Sequence, residues 1–121
     1  MSDDPRHKLG NQGEDLAAQH LVRLGYRLIA RNHRTRFGEL DIVAMCGETL
    51  VFCEVKTARG RGRPFDSLHD RKRAQVRRMA VAYLAEARRS ESARQIRFDA
   101  IGVVIDADGR LTRLDHLEAA F

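Results

Sequence analysis

Two stretches of the chain alternate apolar and polar side chains with the period of two that marks strands. A turn signal at Cys46, Gly47, Glu48 and Thr49 separates them. Read as a hairpin symmetric about the Gly47–Glu48 bond, the pattern sets Met45 against Leu50, Val43 against Phe52, Asp41 against Glu54 and Glu39 against Lys56. One face then holds Leu40, Ile42, Ala44, Val51, Cys53 and Val55 and reads as core. The other ends in Glu39, Asp41, Glu54 and Lys56. Opposed like charges destabilise an antiparallel pair, so Asp41 facing Glu54 needs relief. One carboxyl can stay protonated, Lys56 can lie across both, or a divalent cation can sit between them. A solvated, charged strand face is the plain alternative.

The remaining periodicities supply the rest of the fold. Residues 1–8 read as a frayed tail and residues 9–24 as a helix with Ala17, Leu21 and Leu24 on its stripe, widened by Leu16 and stopped by Gly25. Gly10 and Gly13 fall in its first turns, where glycine implies a close backbone approach. Glu14 there is either favourable dipole placement or a third carboxylate leaning toward the sheet. Residues 26–31 read as a strand with Tyr26, Leu28 and Ala30 on one face, and 32–37 as a basic turn. After the hairpin, 58–67 reads as a flexible basic loop. A second helix runs to about residue 88, capped by Asp66 or Ser67, with Val76, Ala80, Tyr83 and Ala87 buried. Residues 90–94 form a linker and 95–105 a strand. A turn follows at 106–109, then a short strand at 110–114 and a helical turn at 116–121 that seals the core. His33, His69 and His116 share no metal-ligand spacing and read as surface or capping residues.

Composition narrows the class. The 121 residues suit one domain, 1–121, and 43% hydrophobic with 32% charged residues is globular rather than disordered. No apolar run approaches the roughly 18 residues of a membrane span, and the N-terminus lacks a signal-peptide stretch. Cys46 and Cys53 fit neither a disulfide nor a zinc site, so a reducing, cytoplasmic setting is expected.

Charge changes the picture more. The net +5 is uneven: residues 56–78 hold nine Lys and Arg against two Asp. The glycine-spaced Arg59, Arg61 and Arg63, with Arg34 and Arg36 upstream and Lys72 and Arg73 on the second helix, suit phosphate contacts and point to nucleic acid. Of 22 basic residues 19 are Arg, yet the one beside the paired acids is Lys56. Lys is a compact cation whose pKa shifts readily, which suits a site needing a small cation or proton donor.

An acid on a helix, an acid on one strand and Glu-x-Lys on the next resemble the PD-(D/E)XK nuclease superfamily. Gly38-Glu39-Leu40-Asp41 with residues 51–57 (Val-Phe-Cys-Glu-Val-Lys-Thr) resembles the uncharacterised bacterial YraN-like family, itself similar to archaeal Holliday-junction resolvases. The likeness extends to residues 10–14, Gly25-Tyr26, Arg31-Asn32, Arg97-Phe98-Asp99 and the ending 116–121. It implies an α/β, restriction-endonuclease-like fold: a mixed sheet of about five strands flanked by helices, in the order αβββαββ. It further implies that Asp41, Glu54 and the Val55 carbonyl ligate Mg²⁺ or Mn²⁺, that Glu14 completes the cluster directly or through water, and that Lys56 orients the attacking water. No Pro precedes Asp41, and Ala58 separates Thr57 from Arg59, which blurs which Arg contacts phosphate. The implied activity is a metal-dependent endonuclease on structured or branched DNA. The alternatives are a nucleic-acid-binding module with a silent site, and an adapter subunit serving a helicase or other DNA-processing partner. The twofold symmetry of a four-way junction makes a homodimer the arrangement to look for.

Overall fold

The computed structural model describes residues 5–87 and 93–121. Its elements are α1 (Pro5–Arg23), β1 (Arg27–Thr35), β2 (Gly38–Cys46), β3 (Thr49–Arg59), a short 3-10 turn (Pro64–Ser67), α2 (Asp70–Ala87), β4 (Gln95–Ile105) and β5 (Leu111–Leu117). The five strands form one sheet in sequence order. Neighbours are antiparallel except β3 and β4, which are parallel, with α2 in the connection between them. This is the expected mixed sheet in the order αβββαββ.

Each sheet face is covered by one helix. Ala17, Ala18 and Leu21 of α1 pack on Ile42, Ala44, Val51, Cys53, Val55, Ile101, Val103 and Ile105. On the other face, Val76, Met79, Ala80 and Tyr83 of α2 pack on Leu40, Val43, Met45, Leu50 and Phe52. Strands β3 and β4 carry apolar residues toward both helices, and so read as near-continuous apolar runs, as strands buried on both faces do. Full burial of side chains such as Leu21, Phe52 and Ile101 contributes about 1.5–3 kcal/mol each.

The α1 terminus is a Schellman cap: Tyr26 N–H donates to the Leu21 carbonyl at 3.0 Å and Gly25 N–H to the Val22 carbonyl at 3.0 Å, with Gly25 at φ 91°. Leu24 is the C-cap residue within that motif, but its side chain is 57% exposed, so it is not part of the stripe. The helix starts at Pro5, earlier than residue 9.

The hairpin register follows the symmetric pairing through Cys46–Thr49, Met45–Leu50, Ala44–Val51, Val43–Phe52 and Ile42–Cys53. There it stops. Asp41 has no ladder partner on β3, and β1 also skips it, pairing Arg31 with Ile42 and then His33 with Leu40. Across this irregularity Leu40 turns to the α2 cluster while Ile42 stays with α1, so the two do not share a face. Strand β1 extends to Thr35 where a turn was expected. Its bulge between Leu28 and Ala30 sends Leu28 to the α1 side and Ala30 to the α2 side.

Three further expectations change. The 58–67 segment is not a free loop: β3 continues to Arg59, and Phe65 packs so closely over Gly102 that a Cβ there would lie 2.8 Å from its ring. Neither Asp66 nor Ser67 caps α2, which begins at Asp70 after the separate 3-10 turn. Strand β5 runs to Leu117 in place of a helical turn, and Phe121 still closes the core, its ring 5.5 Å from Phe98. The side chain of Ala87 and most of the 90–94 linker lie outside the described residues. No helix among the described residues is long and apolar enough to cross a membrane.

Candidate active site

The place where β2 and β3 part holds the acids. Beyond Ile42 the Asp41 carboxylate takes over from the ladder: the Val55 N–H donates to its Oδ2 at 2.8 Å. That bond ties the side chain of one strand to the backbone of the other, one residue from Glu54. Glu54 is itself only 2% exposed.

Glu14 reaches this point from α1. It lies in the third turn of the helix, too deep for the N-terminal dipole to account for it. Gly13 brings the helix in: a Cβ there would overlap the Thr57 hydroxyl of β3. The close approach expected of the glycines therefore holds at Gly13. It does not hold at Gly10, where a Cβ meets nothing within 4 Å.

The electrostatics are those of carboxylates crowded out of water. Burial pushes the Glu14 pKa up, and Glu39 and Glu54 push the same way, against Arg31 and a hydrogen bond from Asn32. The Glu14 Oε1 atom is buried with no hydrogen-bond partner. Asp41 is pushed up to about 9, first by burial, then by its hydrogen bond with Glu54 and that group's charge; the Val55 N–H only partly offsets this. Asn32, which serves Glu14, sits at φ 51°, in the left-handed region that Asn tolerates best after Gly.

Two ammonium groups answer the acids. Lys72 Nζ of α2 lies 3.1 Å from Glu54 Oε2 and Lys56 Nζ lies 3.6 Å from the same oxygen. The pattern along α2 had suggested an exposed phosphate hand at Lys72. Its side chain is instead only 26% exposed and points to the acids, a placement that a one-dimensional charge run cannot reveal. Arg73 is likewise half-buried, with its Nε lacking a partner. Arg34, Arg36, Arg59, Arg61 and Arg63 are exposed. Arg34 lies 3.7 Å from Glu39, so Glu39 faces a β1 arginine and has no ladder pairing with Lys56.

Lys56 and Lys72 also line a cavity of about 620 Å³ with Phe37, His69, Gln75 and Arg78 among its walls. It is an anion-favouring hollow directly beside the carboxylates.

The acids suit a hard divalent cation by donor type, since every candidate side-chain ligand is a carboxylate oxygen. The unpartnered Glu14 oxygen and the raised Asp41 mark a cluster short of positive charge. Among the described residues, no three His, Cys, Asp or Glu groups stand in a metal-holding arrangement. Mg²⁺ commonly uses only one or two carboxylates and fills its shell with water and substrate phosphate, and Asp41 with Glu54 meets that demand.

A second polar cluster was missed by reading His116 as a surface or capping residue. Its Nε2 lies 2.7 Å from Asp99 Oδ2 and its Nδ1 lies 3.1 Å from His20 Nε2. Arg97 grips Asp99 with two bonds of 2.8 and 2.9 Å and donates to the Tyr26 hydroxyl at 2.6 Å. Burial pushes Asp99 up, but the bonds from His116, Arg97 and the Ala119 N–H outweigh it and hold the carboxyl below its ordinary pKa. The only signal in the sequence was a charged Arg-x-Asp inside an apolar strand.

The family model that matches residues 13–103 is described as uncharacterised protein family UPF0102. A UPF0102 protein of Pelotomaculum thermopropionicum is 42% identical over 120 residues, covering 98% of each chain. Another, from Parafrankia sp., is 47% identical over 116 residues, covering 94% of this chain and 96% of its own.

Proposed function

Given that this chain belongs to the uncharacterised protein family UPF0102, we propose that it is a Mg²⁺- or Mn²⁺-dependent endonuclease acting on DNA, with structured or branched DNA as the substrate class. The observation that carries this reading is the convergence of Glu14, Asp41 and Glu54 beside two lysines and a cation-lined cavity. Hydrolysis of a phosphodiester needs a hydroxide near neutral pH, charge neutralisation at phosphorus and a protonated leaving group. A divalent ion supplies the first two when bound. Asp41 and Glu54 would hold it, with the Val55 carbonyl, and with Glu14 directly or through water. The Val55 N–H fixes the Asp41 carboxylate in place for this task. Lys56 presents an ammonium group to the same space, where it can orient the attacking water or meet charge developing on phosphate. The exposed Arg59, Arg61 and Arg63 at the end of β3 would take flanking phosphates.

The test is cleavage of a panel of junctions, flaps, single strands and duplexes with each ion, alongside calorimetric Mn²⁺ titration of the wild type and Glu54→Gln. Cleavage and Mn²⁺ binding, both lost in Glu54→Gln, are expected. No cleavage of any substrate with either ion would overturn the reading.

One observation favours a second reading, a DNA-binding module with a silent site: Lys72 already sits on the Glu54 carboxylate at 3.1 Å. That reading expects salt-sensitive DNA binding that needs no metal and is indifferent to Asp41→Asn.

A further inference from the structure

The basic cavity is larger than a phosphate clamp requires, and its lining is not uniformly ionic. Its volume of about 620 Å³ falls among the pockets of roughly 300–1,000 Å³ that enclose a whole small ligand. Lys56 and Lys72 form the part that touches the acids. Elsewhere the wall includes Phe37, with Ser67, His69, Arg71 and Gln75 beside it. The Phe37 ring centroid lies 4.8 Å from the guanidinium carbon of the exposed Arg36, which an entering base would displace, and 6.0 Å from that of Arg78. An aromatic ring and a guanidinium plane are the two surfaces on which single bases stack.

This wall is built rigidly. The Gln75 amide donates to the Phe37 carbonyl at 2.8 Å. The adjoining Gly38, at φ 132°, is packed so that a Cβ would lie 2.8 Å from Gln75 Nε2 and 3.1 Å from Met79 Sδ. The β1–β2 turn is thus pinned to α2, and Phe37 stays half-buried against the α2 core cluster while its ring lines the cavity.

We propose that this cavity receives one unpaired nucleotide of a DNA strand, with its base against Phe37 and Arg78 and its phosphate toward Lys56 and Lys72. The inference rests on reading the neighbouring carboxylates as a phosphodiester site, and it names the substrate: DNA with an unpaired nucleotide at the cut, such as a flap, an overhang or a single strand. Bases inside a duplex keep both faces covered by their neighbours, and a terminal pair is held edge to edge with its complement. An unpaired base is therefore the one free to enter the cavity and lay a face on the wall. Stacking accepts any base, so sequence preference is weak.

The test reads binding without turnover, in EDTA or Ca²⁺. A duplex with a short overhang carrying 2-aminopurine is compared with a blunt duplex of the same sequence. The wild type is expected to favour the overhang by about 5- to 150-fold, the span that stacking one base supplies, and to quench the probe. Phe37→Leu, which keeps an apolar side chain against the core, and Arg78→Gln, at an exposed position, each lose most of that preference and quenching. Equal affinity of the wild type for both substrates, or an unchanged preference in both variants, overturns the inference. Because no cleavage is needed, a silent catalytic site leaves the result standing. Conversely, cutting of blunt and overhanging DNA at equal rates overturns this inference while leaving the nuclease reading intact.

Discussion

Replacing Asp41 by Asn separates the charge of the site from its shape. The amide oxygen can still accept the 2.8 Å bond from the Val55 N–H, and only the ionisable group is lost. In the wild type, burial and Glu54 push the Asp41 pKa from 3.8 up to about 9. The folded protein therefore holds a proton that the unfolded chain releases above its ordinary pKa. The unfolded state binds fewer protons, so this group makes stability fall as pH rises from about 4 to about 9. At roughly 1.4 kcal/mol per pH unit, the loss reaches at most about 4 kcal/mol at pH 7. Asn has no such dependence. Urea unfolding in EDTA at pH 5 and pH 8 is expected to show Asp41→Asn more stable than the wild type at pH 8 by about 2–4 kcal/mol, and by distinctly less at pH 5. Mg²⁺ or Mn²⁺ should cut that lead by about 2.7 kcal/mol, because an ion at a hundred times its dissociation constant stabilises only the protein that binds it. A difference between wild type and variant that stays the same from pH 5 to pH 8 would refute the claim that the carboxylates conflict in the metal-free protein.

Other substitutions probe the frame. Gly13→Ala should destabilise by about 1–3 kcal/mol through overlap with Thr57. Gly10→Ala, facing open space, should instead stabilise by up to about 1 kcal/mol; denaturant midpoints for the pair decide this. Lys72→Gln removes the nearer ammonium from Glu54: without metal it should cost about 1–3 kcal/mol, and Mn²⁺ should bind it more tightly than the wild type, as read by calorimetry. Asp99→Asn should cost about 3–5 kcal/mol by removing the buried charge that Arg97 and His116 share, although Arg97 keeps Glu118 at 3.0 Å, measured by urea unfolding at pH 7. Because Asp99 is held below its ordinary pKa, its contribution is present above that value and fades as pH falls through the folded pKa.

What was legible in the sequence was periodic. The hairpin register was readable because side chains alternate and one face must be buried, so a slip of one residue would have exposed the whole apolar set. It held from Cys46–Thr49 to Ile42–Cys53. The acids were legible as a conflict: two carboxylates brought opposite one another need an explanation whatever the fold. Other features do not follow from local pattern. Lys72 and Glu54 are 18 positions apart, on a helix and a strand, and only tertiary packing shows that a residue in a basic run has left that run to face a buried acid. The Asp99–His116–His20 chain joins β4, β5 and α1, with no spacing rule to link them. Phe65 was hidden for another reason: arginines and glycines around it read as mobile, while one aromatic contact with Gly102 is enough to hold the segment.

Bulges at Leu28/Ala30 and Val104/Ile105 and a positive φ at Ala119 lie elsewhere, but several departures from regular structure gather around Asp41. Asp41 is missed by both of its neighbouring strands. Asn32, across β1 from it, carries a positive φ. Leu40 and Ile42 change faces around it. The helix that delivers Glu14 carries a glycine where any other residue would collide with Thr57, and the Glu14 oxygen it delivers has no partner. A sheet gains nothing in stability from any of these: lost ladder bonds, a strained residue and an unsatisfied buried oxygen each cost on the order of 1–3 kcal/mol. Sequences that are otherwise locally consistent tolerate such costs where a site must be held in a particular geometry. These converge on one gap between β2 and β3, where carboxylates from two strands and a helix are buried near one another. That convergence argues for a cation-dependent centre more strongly than any single acid does. Gly13 and Asn32 belong to the same arrangement: one sets how closely α1 approaches, the other bonds Glu14. Asn32→Gly, which relieves the positive φ but removes the bond to Glu14, is therefore expected to leave the fold intact and weaken Mn²⁺ binding. Unchanged Mn²⁺ affinity in that variant would show that Glu14 stands outside the centre.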